Sequence, residues 1–289
     1  MSRTSPGPAL TPRSGRARRA RRLTAHASRV ERREFLAEGP QAVREALLDS
    51  GAVEVFGSRS ATERHPDLVA LATGQGVSWT VAEDTVVATL SDTVTPQGVV
   101  AVCRFVDVSL SELVVPGVRL LAMCADVRDP GNAGTVIRCA DAAGADGVLL
   151  TGSSVDPYNP KAVRASAGSL FHLPLCVEPD PATAIAAARS AGLTVLAAEA
   201  DADLDLVRAD TDGLLARPTA WLFGNEARGL PIEVLALADR IVSVPIYGRA
   251  ESLNLATAAA VCLYASALAQ RRNSSPAAEG PLSQRPRTH

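Results

Sequence analysis

The stretch DPGNAGTVIRCADAAGADGVLL, residues 129–150, decides how the rest of the chain is read. A turn carrying Gly131 and Gly134 leads into a helix of small residues, and a hydrophobic strand follows. An apolar strand, RLLAMCADV (119–127), precedes it, so the whole reads as a βαβ unit. It is not the dinucleotide fingerprint. That motif needs G-x-G-x-x-G and an acidic residue about twenty positions later to hold a ribose. Here the turn is only DPGNAG, and Asp146 falls in the loop before the next strand. The G-x-x-x-x-G-K-[ST] of a P-loop is also missing. A nicotinamide enzyme is therefore disfavoured. The turn does place Asn132 near a helix N-cap and Arg138 about one and a half turns further on. Arg138 reads either as a surface arginine paired with Asp141 at i+3 or as a functional cation.

Outward from this unit, strands are expected at DGVLLTG (146–152), LFHLPLCV (170–177), LTVLAAEA (193–200), TAWLFGN (219–225) and RIVSVPI (240–246). Helices are expected over 133–143 and 181–192, with a long one from about Asn254. The polar segment SSVDPYNPKAVRAS (153–166) reads as a loop. Such alternation over 118–272 predicts a parallel sheet covered on both faces, with its ligand crevice beyond the strands' carboxyl ends. Upstream, 23–108 reads as a small α/β domain with helices at 38–51 and 67–76 and strands at 52–58, 77–83 and 98–105. SLSELVVPG (109–117) reads as the linker, with Pro116-Gly117 as its turn signal.

With 289 residues, 47% of them hydrophobic, the chain is long enough for two domains. The formal net charge of −2 hides an arginine run at the start. Residues 1–22 and 273–289 lack periodicity and read as disordered tails, although the arginines would equally serve as an arm that neutralises phosphates. The five cysteines are scattered without a CxxC, so neither a metal site nor a disulfide framework is expected, and a reducing cytoplasm fits. The start of the chain lacks the apolar region of a secretory signal. The apolar run from Leu253 to Ala269 is broken by Asn254, Thr257 and Ser266, so no membrane span is expected.

Two further loops fall at strand ends. WLFGNEARGL (221–230) carries Gly224, where a ligand would approach the backbone closely; it also reads as a plain β-to-α turn with Glu226 as a helix-start acid. VSVPIYGRAESLNLATAAA (242–260) ends a strand at Pro245-Ile246 and opens the last helix with Ser252 and Asn254, both good cap residues. That helix start would point into the same crevice as the other two loops.

Together the loops resemble the three signature motifs of the SpoU/TrmH branch of the SPOUT methyltransferases. The first is Asn132-x-Gly134-x-x-x-Arg138, the second Gly224-Asn225-Glu226-x-x-Gly229-Leu230, and the third Pro245-Ile246 followed by Ser252-Leu253-Asn254. NPKAVRASAGSLFHLP (159–174) is similar to a segment of the same family, and FLAEGPQAVREAL (35–47) with PQGVVAV (96–102) is similar to the substrate-binding domain often placed before it. The resemblance covers nearly everything but the tails. It implies a SPOUT-type α/β parallel sheet with a C-terminal trefoil knot, preceded by a small α/β RNA-substrate-binding domain. Such a knot is a rare exception among folds.

The implied activity is S-adenosylmethionine-dependent 2′-O-methylation of RNA ribose by a homodimer, with ribosomal RNA favoured. Transfer RNA is the alternative substrate, and a non-catalytic RNA-binding or ribosome-assembly protein of the same fold is the alternative function. The family pattern puts Gly224, Ile246 and Leu253 at the cofactor, with Leu255 and Ala198 as further candidates. Arg138 would engage the target ribose, held with its substrate by Asn132, Glu226, Ser252 and Asn254. Arg164, Arg138, Arg21 and Arg22 are the candidate RNA contacts.

Overall fold

The computed structural model describes residues 9–49 and 51–273. The readings of 1–8 and 274–289 as tails lie outside the described residues. The N-terminal sheet contains β1 (Glu34–Glu38), β2 (Ala52–Ser58), β3 (Ser78–Ala82) and β4 (Val99–Arg104) in the order β1-β4-β2-β3. Strand β4 runs antiparallel to both its neighbours, and β2 and β3 are parallel.

The second sheet is parallel throughout. It holds β5 (Leu120–Ala125), β6 (Gly147–Thr151), β7 (Leu175–Glu178), β8 (Thr194–Ala198), β9 (Leu204–Asp205), β10 (Thr219–Phe223) and β11 (Arg240–Ser243). Their order is β7-β6-β5-β10-β8-β11-β9. Strand β5, LLAMCA, shows why both faces are covered: all six residues are buried. Leu120, Ala122 and Cys124 join the core under the helices Pro130–Ala143 and Leu255–Asn273, whereas Leu121, Met123 and Ala125 join the core under Pro181–Ser190. The last two strands enter between strands laid down earlier, β10 between β5 and β8 and β11 between β8 and β9. Among the described residues, no helix is long and apolar enough to cross a membrane.

Four expectations are corrected. Residues 9–22 are not a disordered tail: Gly15–Arg21 is a helix, followed by a 3-10 turn over Arg22–Thr24. Ala17, Ala20 and Leu23 recur every three residues among the arginines and are buried against Leu36, Phe56 and Val102 of the first sheet. Arginine-rich composition hides this narrow stripe, because alanine contributes little to a hydropathy profile. Residues 109–117 are more than a linker, since Leu110–Leu113 forms a helical turn with a Ser109/Glu112 capping box and buries Leu113. The expected polar loop at 153–166 contains the helix Pro160–Ser166. The helix expected from Ala133 starts at Pro130, because Asp129, not Asn132, is its cap, accepting from the Asn132 amide at 2.9 Å.

The two domains share one core, and polar pairs fasten its edge. Tyr158 stacks on Phe105 at 3.8 Å between ring centroids, and its hydroxyl accepts the Val106 and Asp107 amides at 2.9 and 2.8 Å while donating to Asp107. Arg29, buried in the N-terminal domain, donates through Nε and Nη2 to Asp156, and through Nη1 to the carbonyls of Leu23 and Thr24. Removing one member of such a pair strands a buried charge, at a cost of about 3–5 kcal/mol. His172 completes the junction: Nδ1 lies 2.9 Å from Asp141 in one domain and Nε2 3.1 Å from Glu45 in the other.

Partial burial works against a charged His172, but hydrogen bonds and charge attraction from Asp141 and Glu45 win, and its pKa rises above the ordinary value. The sign of the linkage follows. The stabilisation is complete below the ordinary histidine value of about 6.5 and is lost as pH rises through the higher native value. Calorimetric unfolding across this range should therefore show wild type losing its advantage over His172→Gln as pH rises. Parallel pH curves for the two proteins would show that the junction does not titrate.

Candidate active site

Three loops at the carboxyl ends of β5, β10 and β11 meet. After β5 the chain turns at Asp126, a non-glycine residue at φ +56°. Its Oδ1 accepts from the Ser153 amide at 2.8 Å, and its carbonyl accepts from Asn225 Nδ2 at 2.9 Å. A left-handed acid held from two sides is backbone strain that its neighbours stabilise. Asp129 then caps the next helix, and the Lys161 ammonium 2.6 Å away holds its carboxyl below the usual range.

The loop after β10 closes on itself. Asn225 and Gly229 exchange two backbone hydrogen bonds of 2.9 Å each, with Gly229 at φ +66°. A Cβ on Gly224 would stand 2.4 Å from the Gly229 backbone. Gly224 is thus required by its own chain, independently of any ligand. Glu226 is not a helix-start acid, because the next helical turn begins only at Ile232. Its carboxylate instead gathers the loop after β5, accepting from the amides of Arg128 (3.3 Å) and Asp129 (3.2 Å) and from Asn132 Nδ2 (3.1 Å). Desolvation pushes its pKa up, but its own backbone amide and these donors together outweigh it and hold the carboxyl below the usual range.

Asn132 Oδ1 in turn accepts from Asn254 Nδ2 at 3.1 Å, which ties in the third loop. Asn254 is the cap of the last helix, its Oδ1 accepting from the Ala256 and Thr257 amides. Ser252, expected as a second cap, makes no hydrogen bond among the described residues and stands exposed at the rim. Two residues intervene between it and the first helical residue Leu255, so its hydroxyl is out of capping register.

Beside this cluster lies a cavity of about 210 Å³. Gly224, Ile246, Leu253, Leu255 and Ala198 all line it, together with Ser252 and Glu226. Glu199 also lines it and accepts from the Leu230 amide at 2.8 Å; the only signal for it in the sequence was an acid just past the apolar run LTVLAA. Among the described residues, the backbone of 244–253 makes no hydrogen bond to other main chain. Val244, Ile246, Ser252 and Leu253 of this segment line the cavity, and their main-chain groups fit an adenosyl group gripped through the backbone. Below the site, burial pushes Cys124 up to about 12, with the Glu226 charge adding, so its thiol is not a nucleophile.

Arg138 is not in this cluster. It makes no hydrogen bond or ion pair among the described residues; Asp141, its expected partner, is engaged by His172. It stands exposed in a separate cleft between the domains, together with Arg164, Gln41 and Gln97. Arg164 is paired there with Glu38 (3.6 Å) and Asp92 (3.0 Å). Arg21 and Arg22 are exposed on the N-terminal helical segment. Among the described residues, no group of three or more His, Cys, Asp or Glu is placed to hold a metal ion.

The chain is similar to known proteins over both domains. Residues 119–264 match the SpoU rRNA Methylase family, and residues 16–101 match the MRM3-like substrate binding domain, which begins inside the arginine-rich helix. The 23S rRNA (guanosine(2553)-2'-O)-methyltransferase RlmP of Bacillus subtilis (strain 168) is 31% identical over 244 residues, covering 84% of this chain and 92% of that protein. The 23S rRNA (uridine(2479)-2'-O)-methyltransferase of Streptomyces viridochromogenes is 43% identical over 138 residues, 47% of each protein. A crystal structure of an AdoMet-bound rRNA methyltransferase from Sinorhizobium meliloti superposes with a TM-score of 0.78 at 31% identity, over 92% of this chain and 98% of that one. With the catalytic domain, the preceding domain and the three loops all matched, the chain belongs to the SpoU rRNA methylase family.

Proposed function

We propose that the protein is an S-adenosylmethionine-dependent RNA ribose 2′-O-methyltransferase acting on ribosomal RNA. The observation that carries this is the hydrogen-bonded chain Glu226–Asn132–Asn254, which joins three loops beside a cavity with free main-chain groups. Gly224, Ile246, Leu253, Leu255 and Ala198 bind the cofactor. When bound, it supplies a methyl group on a sulfonium, whose S–C bond breaks as the ribose O–C bond forms. The chain's task is then alignment and charge stabilisation. Guanidinium is always protonated, so Arg138 orients the 2′-hydroxyl and stabilises the developing oxyanion rather than acting as a base. The proton passes to an RNA phosphate or to water. Asn132, Glu226 and Asn254 keep the loops in register, and the Ser252 hydroxyl faces the substrate. Arg164, Arg21 and Arg22 contact RNA phosphates. The target base is not set by the sugar chemistry, in keeping with relatives named for guanosine and for uridine.

The working form is a homodimer in the cytoplasm, with the C-terminal segment knotted. Insertion of β10 and β11 between earlier strands supports the knotted path. Five free cysteines suit a reducing compartment. For the dimer, Val261, Tyr264 and Leu268 leave an apolar stripe 37%, 45% and 55% exposed along the last helix. Tyr264 donates to the Ala142 carbonyl, one turn along from Arg138, so this stripe adjoins the arginine. A second copy seated there completes a site that one chain leaves divided between two cavities.

Transfer of labelled methyl from S-adenosylmethionine to ribosomal and transfer RNA transcripts, with products mapped for 2′-O-methylation, tests the function. Label in ribosomal RNA is expected. Label confined to transfer RNA would move the substrate class, and neither label nor cofactor binding would overturn the enzyme assignment. Arg138→Lys and Arg138→Ala should each lower turnover by about a hundredfold or more while leaving cofactor affinity near wild type. Wild-type turnover in either would remove Arg138 from the mechanism. Leu268→Glu should halve the mass seen by sedimentation and reduce turnover with it; a fully active monomer would refute the shared site.

A further inference from the structure

The groove outside the cofactor cavity holds two arginines that no signature motif claims. It encloses about 1020 Å³ and is lined by Arg128, Asn132, Asn225, Glu226, Arg228 and Gly229. Asn225, Glu226, Ala227 and Gly229 also line the cofactor cavity, so the two spaces share a wall. Arg128 and Arg228 line only the outer one.

Several arginines of the fold are neutralised by close carboxylates. Arg29, Arg33, Arg189 and Arg272 each lie within about 3 Å of an aspartate. Arg128 differs: its side chain is 62% exposed and its nearest carboxylate, Asp126, is 3.8 Å away. Arg228 is exposed and has no ion pair among the described residues. Their backbones are nonetheless fixed. Glu226 accepts from the Arg128 amide, and Asn225 ties its own loop to the carbonyl of the strained Asp126. Two exposed guanidinia, one from each of two pinned loops, thus line a polar groove beside the inner cavity, Arg228 without an ion pair among the described residues and Arg128 with only a loose one. Planar guanidinia with unspent donors suit phosphate oxygens.

We propose that Arg128 and Arg228 form a phosphate clamp that seats the RNA backbone on either side of the acceptor nucleotide. This rests on the reading of the protein as an RNA 2′-O-methyltransferase. The same cations would suit the carboxylate of the methyl donor, but their absence from the inner cavity favours RNA. The clamp supplies position and affinity without base preference, because phosphates carry no sequence.

The test uses the full chain with Arg128→Gln, Arg228→Gln and the double variant. Three quantities are measured: KM and kcat for a ribosomal RNA transcript, RNA affinity against salt, and S-adenosylmethionine affinity by calorimetry. Each substitution should raise the RNA KM about tenfold with kcat nearly kept. Each should also lower the slope of log affinity on log salt by about 0.7–0.9. Cofactor affinity should stay within about twofold of wild type, and lysine at either position should restore the slope. An unchanged KM and slope would overturn the clamp while leaving the methyltransferase reading intact. A selective loss of cofactor affinity would overturn it in favour of the donor's carboxylate. If wild type binds RNA but neither transfers methyl nor binds S-adenosylmethionine, the methyltransferase reading falls, and the salt slopes decide only whether Arg128 and Arg228 hold RNA phosphates. If wild type binds no RNA, both fall.

Discussion

The site depends on one carboxylate. Glu226 accepts from two backbone amides and one side-chain amide of the loop after β5, though it belongs to the loop after β10. β5 and β10 are neighbours in the parallel sheet, so their carboxyl ends emerge side by side, and Asn225 adds a second tie between the two loops by donating to the Asp126 carbonyl. An ionised acceptor with three donors draws them together, and charge-assisted hydrogen bonds are the stronger kind. Asn132 relays the tie to Asn254, whose other duty is to cap the last helix. A polar network at its edge therefore holds the three loops around the cavity lined by Gly224, Ile246 and Leu253.

Packing prepares the ground for that network. Gly134 lets the helix Pro130–Ala143 approach Pro160–Ser166 so closely that a Cβ would stand 2.3 Å from the Ala162 carbonyl. Gly224 permits the turn that presents Glu226. Gly134 and Gly224, the second of which the sequence offered as a ligand-approach position, thus both serve the chain's own close contacts. The Phe35, Phe105 and Tyr158 rings and the buried Arg29–Asp156 pair fix the N-terminal domain on the catalytic one. That leaves the interdomain cleft a defined shape, with Arg138 and Arg164 on its wall.

Much of this was legible in the sequence because parallel strands buried on both faces appear as continuous apolar runs, and LLAMCA, GVLLT and TAWLF are such runs. Asn132, Glu226 and Asn254 were grouped by the family resemblance; read by themselves they were two cap residues and a helix-start acid in loops that follow strands. Less legible were contacts between residues far apart in sequence. Asp129 outcompeted Asn132 for the cap, since the pairing of Asn132 with Glu226 joins residues 94 positions apart. Asp126, Glu199 and Arg128 gain their roles from loops brought together by the sheet, which no local window displays. The folded arginine helix was hidden for a different reason: its buried stripe is mostly alanine, and its arginines dominate any composition profile.

The first motif also misleads when read along a line. Asn132 and Arg138 are six residues apart, about 120° around a helix axis, so they cannot face one neighbour. Asn132 turns toward the loops, whereas Arg138 lies one turn beyond Gly134 on the side that opens into the interdomain cleft. A ribose held by Arg138 of one chain is not thereby brought to the cavity of that chain. A motif split between two directions is nevertheless coherent if two copies pack across the Val261–Tyr264–Leu268 stripe. Asn132 would then shape the cavity of its own chain while Arg138 served the cavity of the other. The helix geometry that divides the motif is thus the physical argument for the proposed pairing of two copies.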